Sequence, residues 1–172
     1  MNWLIVVLRI LHIGAGVFWA GAAFAVAGFV LPTVAASGAE GTRFMRRLAL
    51  ERGLTRWMVA AAIVTVIAGL VLTDIDSAGM QPAWMRSGMG IMIGIGALAA
   101  LGALFVGIRS AMVVVKLGKL LATIESQGGA PKSEQVAEAQ AMGAAMARRA
   151  RAVAIQLVIA VLCMAAARYV VF

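Results

Sequence analysis

Residues 10–36 contain no Asp, Glu, Lys or Arg, His12 being the one ionisable side chain among them, and three further uncharged apolar runs follow at 57–73, 88–108 and 152–167. A helix needs about 20 apolar residues to cross roughly 30 Å of hydrocarbon. Four such runs in 172 residues leave little chain for any other kind of core. Backbone polar groups in lipid must be bonded internally, which admits only helices or a closed barrel, and the alternating pattern of a barrel strand is absent. The expected fold is therefore an all-α integral membrane four-helix up-and-down bundle, a single domain over 1–172. Its spans are expected at about 4–36, 55–74, 87–109 and 152–171.

Composition agrees: 63% of residues are hydrophobic and 13% charged, against about 45–50% and about 25% in soluble domains. The triplets AGA and AFA within residues 20–25 resemble signal-peptide cleavage sites. However, the leading MNWLIVVL has no positive charge, and the apolar run outlasts a signal core of about 7–15 residues, so a helix is expected there. Cys163 is the single cysteine, which excludes an intrachain disulfide and leaves it as a small apolar side chain of the fourth span.

The net charge of +8 is distributed by position. Residues 37–56 hold Arg43, Arg46, Arg47, Arg52 and Arg56 against Glu40 and Glu51, a balance of +3, and residues 116–151 also balance at +3. Residues 74–87, with Asp74, Asp76 and Arg86, balance at −1. Basic connections stay on the cytoplasmic side. The expected location is a bacterial inner membrane with both termini outside, the positive charge being a topology signal with no nucleic-acid partner implied.

The third span does not stop at the membrane. Val113, Leu117, Leu120, Leu121 and Ile124 keep helical spacing until Gly128, Gly129 and Pro131, and Ser133, Gln135 and Glu138 open a new Ala-rich helix that runs into the fourth span. A cytoplasmic helical hairpin over about 110–151 is expected, either a solvated extension or a docking surface for a membrane-protein partner. Gly90 and Gly94 have the GxxxG spacing of closely packed membrane helices, which also admits a homo-oligomer through the Gly-rich third span. The run GMGIMIGIG follows no strand and is not a dinucleotide loop.

Chemistry concentrates at the outer end, where this topology collects Arg9, His12, Asp74, Asp76, Arg86, Met89, Met92, Arg168 and Tyr169; the inner half offers only Thr65, Gln156 and Arg109. Ionisable residues within a membrane are costly and face the bundle or a wet cavity. Arg9 lies one turn above His12, Gly16 one turn below and Trp19 two turns below, all on one stripe, with Gly16 leaving a flat gap beside the imidazole. On the third span Met85, Met89 and Met92 fall at i, i+4 and i+7. Imidazole and thioethers are ligands for haem iron or Cu(I), and arginines suit haem propionates. Each feature also has a plain reading. The imidazole can be satisfied by a neighbouring backbone carbonyl, the methionines can fill a core, and the arginines can snorkel or pair with Asp74 and Asp76. Trp3, Trp57 and Trp84 read as interfacial belt residues, and Trp19 as a packing residue or a pocket wall.

The stretch LHIGAGVFWAGAAF, with His12, Trp19 and Gly21, resembles the opening helix of small bacterial membrane proteins of the copper-resistance D (CopD-like) and HemJ-like type. The resemblance covers about 15 residues and, loosely, the four-span layout. It implies b-type haem ligation by His12 and protoporphyrinogen oxidation in the HemJ case, and copper passage in the copper-resistance D case. Where HemJ-like proteins carry a Lys near the start of the third span, PAWMRSGMG has Trp84 and Arg86, and a guanidinium stays protonated and cannot ligate iron. Met89 or Met92 would then supply a second axial ligand. The expected function is binding of haem b or a soft metal near the outer leaflet with a redox or metal-handling role. The alternatives are Cu(I) uptake through His12, Met85 and Met89, and a cofactor-free accessory or scaffold subunit. Catalytic triads, phosphate loops, metalloprotease motifs and internal repeats are absent, so hydrolase and ordinary transporter classes are not supported.

Overall fold

The structure is a computed structural model and describes residues 2–171. Helix α1, Trp3–Ala25, passes through a π-helical turn, Val26–Val30, into α2, Leu31–Ala36. The widened turn has a local cause. Pro32 has no N–H to offer the preceding turn, and the backbone shifts register so that the Leu31 N–H reaches the Val26 carbonyl, five residues back. Gly38, at φ 56°, reverses the chain, and α3, Gly38–Arg46, folds back so closely that Gly41 lies against the Val34 backbone. A second π-helical turn, Arg47–Glu51, leads to Gly53 at φ 72° and then to α4, Leu54–Asp76. Residues 38–51, read above only as a basic connection, are thus helical.

The short α5, Pro82–Met85, precedes α6, Gly88–Ser126. Ser87 caps α6, its Oγ accepting the Gly90 N–H at 3.1 Å and donating to the Trp84 carbonyl at 2.7 Å. Helix α7, Ser133–Ala166, ends in a 3₁₀ turn, Ala167–Tyr169, so the helical part of the fourth span closes at Tyr169 and not at 171, where Val170 is already extended. At about 1.5 Å per residue, the 39 residues of α6 reach about 58 Å, nearly twice a hydrocarbon core. The structure therefore contains four helices long and apolar enough to cross a membrane, Trp3–Ala36, Leu54–Asp76, Gly88–Ser126 and Ser133–Tyr169. No strand occurs among the described residues.

Helix α6 packs along α7 and against α4, while α1 has its packing partners in α4 and α7, leaving α6 across the diagonal. Trp19, Ala23, Ala62, Ala103, Leu157 and Ala160 meet in one buried cluster. Alanines dominate it because, in lipid, close backbone approach rather than expulsion of water holds helices together. Among the α6 glycines at the helix interface is Gly96, where an added Cβ would stand 3.1 Å from Met164 Cγ and 3.3 Å from the Ala160 carbonyl. Gly94 opens on empty space and Gly90 abuts the Trp84 carbonyl of its own approach, so the GxxxG pair builds no contact within the chain. Beyond the core, Lys116–Glu138 at 2.9 Å ties α6 to α7 and Arg46–Glu125 at 2.7 Å ties α3 to α6. Both pairs are partly exposed and contribute about 0–1 kcal/mol each.

Gln156 lies against Gly102 on the α6 interface, and its Oε1 is buried without a hydrogen-bond partner. An unpaired buried amide costs about 1–3 kcal/mol. Gln156→Met, which keeps the length and removes the polar atoms, is expected to raise the unfolding midpoint in detergent, as read by circular dichroism.

Candidate functional site

His12 sits on the α4-facing side of α1. Its Nδ1 lies 2.8 Å from the Thr65 backbone carbonyl, and its ring rests on Gly69, where an added Cβ would approach Cε1 to 2.7 Å. The next turn repeats the match, with Gly16 facing Thr65, whose Cγ2 would lie 3.4 Å from a Cβ added there. Each four-residue step along α1 is answered by a four-residue step back along α4, the register of two antiparallel helices with small residues at the crossing. Thr65 is buried and spends its own hydroxyl on the Ala61 carbonyl at 2.8 Å. Its carbonyl has two lone pairs and can serve both the helix ladder and the imidazole.

This contact fixes the ring chemistry. A carbonyl only accepts, so Nδ1 is the donor, and in the neutral ring the lone pair then resides on Nε2. Nε2 makes no hydrogen bond among the described residues, and the half-buried ring is not sealed in. An imidazole anchored through one nitrogen to a backbone carbonyl, with the other presenting a lone pair, is the arrangement found behind metal-bound histidines.

The rest of the expected set is dispersed. Trp19 is buried, 3% exposed, and walls an apolar cavity toward the hairpin end. Met85 is not on α6 at all: Ser87 is extended, at ψ 156°, so the stripe expected at i, i+4 and i+7 is broken and only Met89 and Met92 share the helix. Trp19 shares its cluster with Ala100 and Ala103. Counting back along the parallel α1 and α6, His12 stands below Met92 and farther below Met89, on a helix that packs elsewhere. Met85 and Met89 are exposed, and Met92 is half-buried. Arg9, Arg86 and Arg168 are all exposed; Arg168 stacks on the Tyr169 ring at 5.5 Å, and none of the three makes an ion pair with Asp74 or Asp76 among the described residues.

No group of three or more His, Cys, Asp or Glu side chains gathers among the described residues. No family model, curated protein or solved structure matches this chain. The partners that sequence reasoning missed are Thr65 and Gly69. The sequence assigns Thr65 to the inner half, whereas in the structure it stands level with His12 and Gly16. The available signal was a Thr and a Gly four residues apart in VTVIAG, one of the few small-and-polar pairs in an otherwise bulky apolar span.

Proposed function

We propose that the chain is a polytopic membrane protein of the bacterial inner membrane that binds haem b, or a soft metal in its place, through His12 Nε2. Both termini and the acidic 74–87 connection lie outside, and the α6–α7 hairpin is cytoplasmic. The observation that carries the reading is the Nδ1 contact with the Thr65 carbonyl over Gly69, which selects the tautomer that leaves a lone pair on Nε2.

The residues fit a haem in part. His12 suits one axial position, and Arg9, one turn nearer the outer end, suits a propionate. Met89 and Met92 do not come to α1, so they supply no second axial ligand in this arrangement, and Met85 supplies none. A bound haem would provide one-electron redox chemistry; this chain would hold it by one nitrogen and exclude water with the surrounding apolar helices. Cu(I) is the alternative occupant of the same nitrogen, with Met85 and Met89 no longer placed to share it.

Protein expressed with ample haem supply and purified in detergent is expected to show a Soret band that shifts on reduction and disappears in His12→Ala. Absence of the band, together with metal analysis finding no copper, would leave the second reading, a cofactor-free accessory subunit. That reading draws on two features: the hairpin that extends past the core, and a histidine already pinned to a carbonyl.

A further inference from the structure

Two cavities meet at the hairpin end of the bundle, far from His12. The first is walled by Trp19, Met58, Leu104 and Val153 and is almost wholly apolar. The second, of about 560 Å³, lies between α3 and the α6–α7 hairpin and adds Thr42, Arg46 and Gln140. Leu31, Met45, Val114 and Met146 line both, so the two form one cleft that is greasy at the Trp19 end and cationic at the Arg46 end. The larger chamber alone falls in the about 300–1,000 Å³ range of ligand pockets.

The cleft has the dimensions of one leaflet. From Leu104 to Leu121 along α6 it spans about 25 Å at about 1.5 Å per residue. Half a bilayer offers about 15 Å of hydrocarbon and about 6 Å of headgroup. Its polarity runs the same way, with apolar walls inside the predicted span and polar groups past its end. Arg46 faces the cleft while bridging to Glu125 at 2.7 Å, and Arg43 and Arg47 flank it at the surface.

We propose that this cleft holds an anionic phospholipid drawn from the surrounding bilayer, one acyl chain lying toward Trp19 and the phosphate at Arg46. Charge complementarity selects the headgroup, since a phosphate competes with Glu125 for a guanidinium that already lines the cleft. The apolar lining at the Trp19 end selects the chain.

The test uses Trp19 as a reporter, because it lines the apolar end of the cleft and is itself buried. With Trp3, Trp57 and Trp84 changed to Phe, the protein is reconstituted into phosphatidylcholine vesicles containing either brominated-chain phosphatidylglycerol or brominated-chain phosphatidylcholine at equal mole fraction. The phosphatidylglycerol is expected to quench Trp19 with an apparent affinity about fivefold higher, the contribution of about one basic residue. Arg46→Gln should abolish that preference, Glu125→Gln should increase it, and Ala150→Phe, which fills the apolar chamber, should suppress quenching by both lipids while the helical circular dichroism is kept. Equal quenching by the two headgroups, or a preference that survives Arg46→Gln, overturns the proposal. Quenching by neither gives the cleft to a protein segment and overturns it equally.

Discussion

Gly69→Val is expected to expel the His12 imidazole from α4 and, with it, any pigment or metal that His12 holds. A single Cβ at this position already falls 2.7 Å from Cε1 and 2.9 Å from Nδ1, and valine adds two methyls on a β-branched stem that cannot rotate away within a helix. The ring must leave the Thr65 carbonyl or the helices must part. Overpacking costs about 1–3 kcal/mol, and an imidazole donor stranded in an apolar environment costs about 1–3 more. The expected loss of stability is thus about 2–6 kcal/mol, read from denaturant titration in mixed micelles. Gly69→Ala should fall between wild type and valine, because the ring, at the end of its side chain, needs to retreat only about 0.7 Å, from 2.7 Å to ordinary contact at 3.4 Å. Gly94→Ala is the matched control: its Cβ meets nothing within 4 Å, and exchanging a helical glycine for alanine is neutral or stabilising by up to about 1 kcal/mol. If Gly69→Val keeps both its stability and a His12-dependent spectrum, the α1–α4 seat is not where the imidazole lives.

The same helices show how far a sequence of this kind can be read. Span positions follow from hydropathy, and the limits of α6 and α7 follow from Gly128, Gly129 and Pro131 with the restart at Ser133; the structure places the turn there, between Ser126 and Ser133. Partner choice does not follow. A helix that is apolar all round carries no stripe naming the neighbour it faces. The sequence accordingly pairs His12 with the parallel α6, whose methionines offer chemistry, whereas it lies on the antiparallel α4, which offers room. The informative signal was the missing side chain of Gly69, opposite the one bulky polar ring of α1. The break before α6 was legible in principle, since Ser87 with the Gly90 N–H is an ordinary cap, and it removes Met85 from the methionine stripe. The hairpin-end cleft had no sequence signal, because it arises where α2, α3, α6 and α7 fail to close on one another.

The α6–α7 interface should be the least tolerant of added volume, and at Gly96 the opposing α7 backbone itself comes close. A Cβ there would lie 3.1 Å from Met164 Cγ, 3.3 Å from the Ala160 carbonyl and 3.4 Å from Cys163 Cβ, all on the facing surface of α7. Met164 is flexible and can swing aside, but the Ala160 carbonyl is backbone and cannot. Gly96→Leu must therefore push the helices apart along a contact whose stability depends on close approach, at an expected cost of about 3 kcal/mol or more. Cys163 supplies a direct readout, being the single cysteine, half-buried, and pressed against the same glycine. Its labelling by a membrane-permeant maleimide is expected to accelerate about tenfold in Gly96→Leu, since lowering the opening free energy by about 1.4 kcal/mol already gives that factor. The spacing of small residues on α7 and its closing turn sharpens the expectation: Ala160 and Ala167 are buried one heptad apart, and Gly88 at the other end of the interface lies against Val170. The contact is continuous from Gly88 to Gly102, so a wedge at its middle strains both ends. Unchanged Cys163 labelling in a folded Gly96→Leu protein would mean that α6 and α7 meet on other faces.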